Sequence, residues 1–369
     1  MRFLAWDETL FKNPEVFDPD YIPEKLYFRD SQLRRISANL KPAIRKTQPV
    51  NMLCLGPPGT GKTSAIKLIF RELEDFDVIP VYANCQLLGS KQAVFGKIFE
   101  ALYGYKPPSY GIPFAKLYAS ILNKVLEIDK VLVVALDDIN LLLNDTQIND
   151  VLYAILKAYE EVDGVKTGVI AIGTDLKLNA RLDERVGSIF HPDEILFPPY
   201  GLEEIFEILK NRCLVGFYRN VISDAVIERV AELTYETGDL RVGLYLLKMA
   251  GISAEERGSR KISIEDVEKA FSKSKVVLLK KCISMLNQEE REILKQIYQQ
   301  DDISTGEMYK KVRKDHKIGY TKFYNIISKL ENLRLIDLSY LKRGKGRTRS
   351  IVRRFDRETV LGALKEFAI

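Results

Sequence analysis

Residues 56–63 read Gly56-Pro57-Pro58-Gly59-Thr60-Gly61-Lys62-Thr63, a glycine-rich turn closed by a lysine and a hydroxyl, with Ser64 following. The spacing is GxxxxGK[ST], and the chemistry it serves is the holding of a polyphosphate. Glycines let successive backbone N–H groups curl around phosphate oxygens, Lys62 reaches the β and γ oxygens, and Thr63 offers its hydroxyl to Mg²⁺. Such a loop needs a second carboxylate at the end of a neighbouring strand to hold the water shell of the metal. The run Val131-Leu132-Val133-Val134-Ala135-Leu136-Asp137-Asp138 supplies one. Asp137 is the metal-side candidate. Asp138 stands where a water-activating carboxylate would be, or is one more strand-end acid.

These residues need a strand before the turn, a helix after it and a parallel neighbour strand. Val50 to Leu55 is apolar and enters the turn, and Ser64 to Leu73 has a helical pattern, so the text reads strand, loop, helix. A helix N-terminus at the turn adds favourable electrostatics for an anion. Further strand-like runs at Val78 to Tyr82, Val131 to Leu136 and Val169 to Ile172 are separated by helical patterns at Val94 to Leu102 and Phe114 to Leu126. Strands alternating with helices imply a parallel sheet wrapped by helices. Before residue 50 the text is punctuated by Pro14, Pro19 and Pro23 and reads as irregular. After Phe197-Pro198-Pro199-Tyr200 the strand signal ends, and amphipathic helices are expected at Leu202 to Cys213, Ser223 to Tyr235 and Leu240 to Gly251, an all-helical lid.

A chain of 369 residues is too long for one core, so two or three domains are expected. Apolar residues at 46% and charged residues at 29% exclude a disorder-dominated chain. The longest apolar runs are strand-sized, and no charged n-region followed by an apolar stretch opens the chain, which points to a folded cytosolic protein with no membrane role. Cys54, Cys85, Cys213 and Cys282 lie far apart with no CxxC pair and with no histidine at ligand spacing, and are read as buried thiols.

The net charge of +5 hides an asymmetry. From Asp301 onward there are 17 Lys and Arg against 9 Asp and Glu, a surplus of eight, which leaves −3 for everything before it. The end that carries the surplus is the end expected to meet phosphate. There, from near Leu286, the order is helix, helix, helix, hairpin. Ser304-Thr305-Gly306-Glu307 is a capping box opening one helix, and another follows from about Tyr320, which together read as helix-turn-helix. On the second, Phe323, Ile326, Ile327 and Leu330 share an apolar face, and Lys322, Asn325 and Lys329 line the opposite one, where they could reach base edges and phosphates. Beyond Leu338 a hairpin with a basic, glycine-rich tip carries Lys342, Arg343, Lys345, Arg347 and Arg349, suited to a minor groove.

Taken with Tyr21-Ile22-Pro23, Arg29, the Asp-rich strand end, Phe197-Pro198-Pro199-Tyr200 and Gly238-Asp239-Leu240-Arg241, the chain resembles, over almost its whole length, the archaeal replication initiators. These are related to the origin recognition complex and its Cdc-six loading partner. The resemblance implies an α/β P-loop AAA+ core with helices on both faces of a parallel sheet over residues 1–200, a helical lid over 201–278, and a winged-helix DNA-binding domain over 279–369. It implies that Tyr21 and Ile22 lie against the adenine of ATP or ADP, that Tyr200 and Arg212 contact nucleotide, and that Arg241 is the sensor-two arginine. On the same basis Arg185 falls in the region that gives an arginine finger to a neighbouring initiator subunit, or is an ordinary surface arginine. Tyr105 to Phe114 falls where the family carries a DNA-touching insertion, though its composition is that of a Pro-rich loop.

Two departures from the family pattern bear on hydrolysis. The Asp-Glu pair becomes Asp137-Asp138, one methylene shorter, and the sensor-one asparagine becomes Thr174. A carboxylate displaced by roughly 1 to 1.5 Å can cost about 100-fold in rate, so a slow ATPase serving as a nucleotide-state switch is expected. The leading function is thus a replication initiator that binds origin duplex DNA, assembles with related subunits and helps load a replicative helicase at the nucleoid. A DNA-binding transcriptional or damage-response regulator on the same fold, and a protein-remodelling ATPase, are the alternatives.

Overall fold

The protein is seen in a computed structural model that describes residues 9–108, 111–141, 145–174, 182–300, 304–316, 318–333, 335–343 and 346–367. It divides into two compact units, one ending at Val267 and the other beginning at Glu268.

In the first unit the elements follow in the order α1 (Asp30–Ile44), β1 (Met52–Leu55), α2 (Lys62–Leu73), β2 (Val78–Asn84), α3 (Cys85–Leu88), α4 (Lys91–Tyr103), α5 (Phe114–Glu127) and β3 (Val131–Asp137). Then come α6 (Asp145–Leu156), α7 (Ala158–Glu161), β4 (Thr167–Gly173), α8 (Glu184–Gly187) and β5 (Asp193–Leu196). The strands form one parallel sheet in the order β2-β3-β4-β1-β5. Strands buried on both faces are continuous apolar runs, and every residue of β3 and β4 is buried. Alternate strand residues face two layers. Leu53, Val134 and Leu136 pack under α4, α5 and α6, while Met52, Cys54, Val133 and Ile170 pack against α1 and α2.

The helical part of this unit is α9 (Leu202–Gly216), α10 (Asp224–Thr237) and α11 (Leu240–Glu256), where the amphipathic patterns placed a lid. Two expectations are corrected here. The stretch before residue 50 is not irregular throughout: α1 buries Ile36, Leu40 and Ala43 at helical spacing, and Pro42 is accommodated in its last turn. The first strand begins at Met52 rather than Val50, which is 44% exposed. An edge strand, β5, also went unread: of its four residues only Ile195 is buried, too little for an apolar signal.

The second unit contains most of α12 (Ile264–Ser284), then α13 (Gln288–Gln299), α14 (Thr305–His316), α15 (Tyr320–Asn332), an antiparallel hairpin of β6 (Ile336–Arg343) and β7 (Gly346–Arg353), and a final helix, α16 (Arg357–Glu366). The capping box is present: Ser304 Oγ accepts from Glu307 N at 3.3 Å, and Glu307 Oε2 accepts from Ser304 N at 3.0 Å. Phe323, Ile326, Ile327 and Leu330 are buried in its core with Tyr298, whose hydroxyl donates to Leu335 O at 2.6 Å. The hairpin starts two residues earlier than its alternation suggested, and α16 was not read from the sequence. Cys54, Cys85 and Cys213 are buried free thiols, and burial pushes the first two up to about 12. Cys282 is only half-buried, contrary to expectation, because it lies at the margin of its core. Among the described residues no helix is long and apolar enough to cross a membrane.

Candidate functional site

The turn after β1 closes on three sides. Gly59 and Gly61 have φ of +73° and +89°, a region that favours glycine, and there is no room for a side chain at either. A Cβ on Gly59 would stand 2.1 Å from Asp239 Oδ1, and one on Gly61 2.9 Å from the Tyr200 hydroxyl. Within the turn Thr60 Oγ1 donates to Pro57 O at 2.8 Å, and the Lys62 ammonium donates to Gly56 O at 2.6 Å and Pro57 O at 2.8 Å. Burial lowers the Lys62 pKa, against the opposing pull of Asp137 and Asp138.

Parallel pairing of β2 with β3 sets Asn84 opposite Asp137 and so brings the strand ends together. Asp137 is buried, and its Oδ2 accepts from the Thr63 hydroxyl at 2.7 Å and the Tyr82 hydroxyl at 2.6 Å. Its Oδ1 accepts from Asp138 N at 2.9 Å. Asp138 has a φ of +52°, and its pKa is raised first by burial and then by the neighbouring Asp137 charge. Thr174 stands exposed just past β4 and lines the same cavity.

That cavity, about 800 Å³, also takes in Tyr21, Ile22, Pro58, Ser64, Tyr200, Arg212 and Arg241. The Arg212 guanidinium lies 4.7 Å from the Tyr21 ring centre and donates to Val16 O at 3.2 Å. Arg241 sits in the first turn of α11, near enough to Lys62 and Asp138 to act on both electrostatically. Asn140 lines the cavity too, and its buried Oδ1 has no hydrogen-bond partner among the described residues. Hard oxygen donors on Thr63 and Asp137, an ammonium, and an orphaned acceptor in a cavity of this size fit a magnesium nucleotide.

Sequence reasoning gave two residues too little. Arg29 served only as a signpost, yet it is 2% exposed and donates to Thr60 O at 2.9 Å and Pro198 O at 2.6 Å, with its guanidinium 3.8 Å from the Tyr200 ring centre. It clamps the phosphate turn to the Pro198 segment. Tyr82 was read only as the end of a strand. A tyrosine alternating into the face that carries the metal-side carboxylate was the available signal. Arg185 lies apart from this group: on α8 it donates to Asp183 Oδ2 at 2.7 Å and 3.1 Å, and its side chain is 60% exposed.

In the second unit the polar face of α15 is partly engaged. Lys322 pairs with Glu289 at 2.5 Å and Lys329 with Glu290 at 2.6 Å, and both acids belong to the first turn of α13. Asn325 is exposed. At the start of α15 the rings of Tyr320 and Tyr324 lie 4.4 Å apart, and Tyr309 is 5.3 Å from Tyr320. In the hairpin Lys342 is opposite Arg347 and Arg343 opposite Gly346, while Arg349 is opposite Tyr340. The side chains of Lys342, Arg343 and Arg347, and the whole of Lys345, lie outside the described residues. In the loop between α4 and α5, Tyr105 packs on Phe99 and Tyr103, and Gln92 donates to Ile112 O at 3.2 Å.

Two stretches of the chain match described protein families. Residues 25–157 match the AAA ATPase domain, and residues 206–272 match the Cdc6 AAA+ ATPase-type lid domain. The chain is 45% identical over 366 residues to an ORC1-type DNA replication protein 2 of Methanosarcina acetivorans, covering 98% of each chain. It is also 45% identical over 363 residues to a protein of the same description from Archaeoglobus fulgidus, covering 98% of this chain and 95% of that one. Among solved structures it resembles the Aeropyrum pernix ORC1 protein in complex with DNA, at 28% identity and a TM-score of 0.76, covering 98% of each.

Proposed function

This chain belongs to the ORC1/Cdc6-type family of archaeal replication initiators, and from that premise we propose that it binds origin duplex DNA under the control of bound ATP or ADP and assists the loading of a replicative helicase. The observation that carries the reading is the shared cavity: the phosphate turn at the sheet and Arg241 on the lid face one space. A nucleotide there touches both, with Lys62 and the turn amides on its phosphates, Tyr21, Ile22 and Tyr200 toward its base, and Arg212 beside them.

Thr63 and Asp137 are the residues for Mg²⁺, which would neutralise phosphate charge when bound. Asp138, Thr174 and, in a neighbouring subunit's site, Arg185 are the residues for hydrolysis. The shortened Asp138 and the Thr174 replacement favour a slow ATPase whose use is to register nucleotide state. We divide the chain into the AAA+ core (1–200), the lid (201–278) and a winged-helix domain (279–369), whose wing is the β6–β7 hairpin. In this reading Asn325 and the hairpin residues Lys342, Arg343, Lys345, Arg347 and Arg349 meet DNA, and Lys322 and Lys329 reach phosphate by exchanging their glutamate partners. Related initiator subunits are the proposed partners on DNA, at the nucleoid. The replication name carried by the relatives favours the initiator over the regulator weighed from the sequence.

The test is a footprint and affinity titration of the full chain against genomic duplex fragments, with ATP and with ADP, at two salt concentrations. A localised footprint at an origin that survives higher salt and is lost on Arg347→Ala is expected. Footprints at promoters, or no duplex binding in any condition, would overturn the proposal.

A further inference from the structure

We propose that Tyr82 is a positioning residue for the metal-side carboxylate, fixing by a hydrogen bond which oxygen of Asp137 is left for the water shell of Mg²⁺. The inference rests on the reading of Thr63 and Asp137 as the metal residues. An ionised carboxylate offers roughly four lone-pair positions. Two are on Oδ2, which accepts from both Thr63 and Tyr82, at 2.7 Å and 2.6 Å. On Oδ1 one is used among the described residues, by Asp138 N at 2.9 Å. The remaining acceptor position is therefore on Oδ1.

Thr63 alone does not impose this. With Thr63 on Oδ2 and Asp138 N on Oδ1, each oxygen would carry one donor and keep one open position, so those two bonds do not choose between the oxygens. Tyr82 supplies a third donor, which fills the second position on Oδ2, and its own ring is held. The residue is in β2, in register with Ala135 one residue before Leu136 and two before Asp137. Its ring packs against the α1–α2 layer of the core, and the ammonium of Lys67, on α2, lies 4.6 Å from its centre. An O–H donor to a charged oxygen is among the stronger hydrogen bonds available to a side chain. A phenol held on the neighbouring strand would thus set the orientation of the carboxylate that holds the water shell of the metal, without being a ligand itself.

The experiment measures ADP affinity of the full chain by calorimetry, in Mg²⁺ and in EDTA, for wild type, Tyr82→Phe and Tyr82→Gln. Wild type is expected to bind ADP more tightly with Mg²⁺. Tyr82→Phe keeps the EDTA affinity and loses roughly 10-fold of the Mg²⁺-dependent gain, the equivalent of one charge-assisted hydrogen bond. Tyr82→Gln, which keeps a donor on a different stem, retains more of the gain than Tyr82→Phe. Equal gains in wild type and Tyr82→Phe, or losses of equal factor in Mg²⁺ and EDTA, would overturn the role of Tyr82. No Mg²⁺-dependent gain in wild type would instead overturn the metal reading on which it rests.

Discussion

Replacing Arg29 by methionine keeps most of the side-chain volume and removes the clamp between the phosphate turn and the Pro198 segment. The guanidinium makes charge-assisted hydrogen bonds to Thr60 O and Pro198 O and covers the Tyr200 ring, and it is 2% exposed. A third bond goes to the adjacent Phe28 O at 2.9 Å; the two that bridge to other segments are worth about 1.5–3 kcal/mol each, and a desolvated cation–π contact about 1–2 kcal/mol. Against this, the methionine no longer bears the cost of a buried charge, several kcal/mol by itself and already visible as a burial-lowered Arg29 pKa. We expect a net loss of roughly 2–4 kcal/mol of stability for the first unit, read as a lower urea midpoint in the full chain followed by far-ultraviolet circular dichroism. We also expect a loss of roughly 10-fold or more in ADP affinity, since Thr60 lies inside the phosphate turn. Arg29→Lys should recover little, because one ammonium does not reproduce a planar fork aimed at two carbonyls. A midpoint shift equivalent to under about 0.5 kcal/mol, with unchanged ADP affinity, would refute the clamp.

Asp138→Glu restores the longer carboxylate and is expected to raise single-turnover ATP hydrolysis by roughly 10-fold. The same change costs about 1 kcal/mol of stability because Asp138 has a φ of +52°, which aspartate tolerates better than glutamate. Asp266 accepts from Arg257 and from Ser263 at the start of α12, and although burial works against its ionisation these bonds prevail and hold its carboxyl below the ordinary range. A depressed native pKa stabilises above the unfolded value, near 4, and the benefit is lost as pH falls through the native value. Asp266→Asn should therefore cost roughly 1–3 kcal/mol at pH 7, with the difference from wild type narrowing below about pH 4 in urea titrations. Lys329→Ala removes the cation from the buried Glu290, leaving it the hydrogen bond from Asn287 N, and should destabilise the second unit by roughly 1–3 kcal/mol, while the exposed Asn325→Ala should leave stability within about 0.5 kcal/mol and lower duplex affinity. Equal stability of the two variants in thermal unfolding would count against the Glu290 pairing.

The legible part of the molecule was the part in which local pattern and burial coincide. Residues 56–64 could be placed because the glycines, lysine and threonine are needed at fixed spacing, and β3 because a strand covered on both faces is apolar throughout. The α15 core face was legible for the same reason, four apolar residues on one side of a helix. What was not legible depends on partners distant in sequence. Nothing local marks Lys322 and Lys329 as paired to α13, so they read as free cations. The clamp of Arg29 spans 169 residues to Pro198, and the bond of Tyr82 to Asp137 spans 55, so each became visible only once the parallel sheet had brought its ends together.

In the proposed reading, the wall of the nucleotide cavity offers a route by which occupancy would act as a switch. Residues 9–18 are fastened to the helical part of the first unit, not to the sheet. Lys12 N and Asn13 N both donate to Gly216 O, Leu10 N donates to Glu255, and Asp18 pairs with Lys248. The rings of Phe11 and Phe17 pack tilted against Phe217, and there is no room for a Cβ at Gly216 or Gly251 beneath them. From this anchored strap the chain passes directly into Tyr21 and Ile22 at the cavity and then into Arg29, which holds the phosphate turn. The wall that carries Tyr21 and Ile22 is thus mounted on α9 and α11, together with Arg241, whereas the phosphate turn and Asp137 are mounted on the sheet. A ligand shifts a conformational equilibrium only by its differential affinity for the two states. On the proposed contacts, a nucleotide split between these two mounts would apply its binding energy to the arrangement of lid and sheet, and replacing ATP by ADP would alter that energy on the phosphate side.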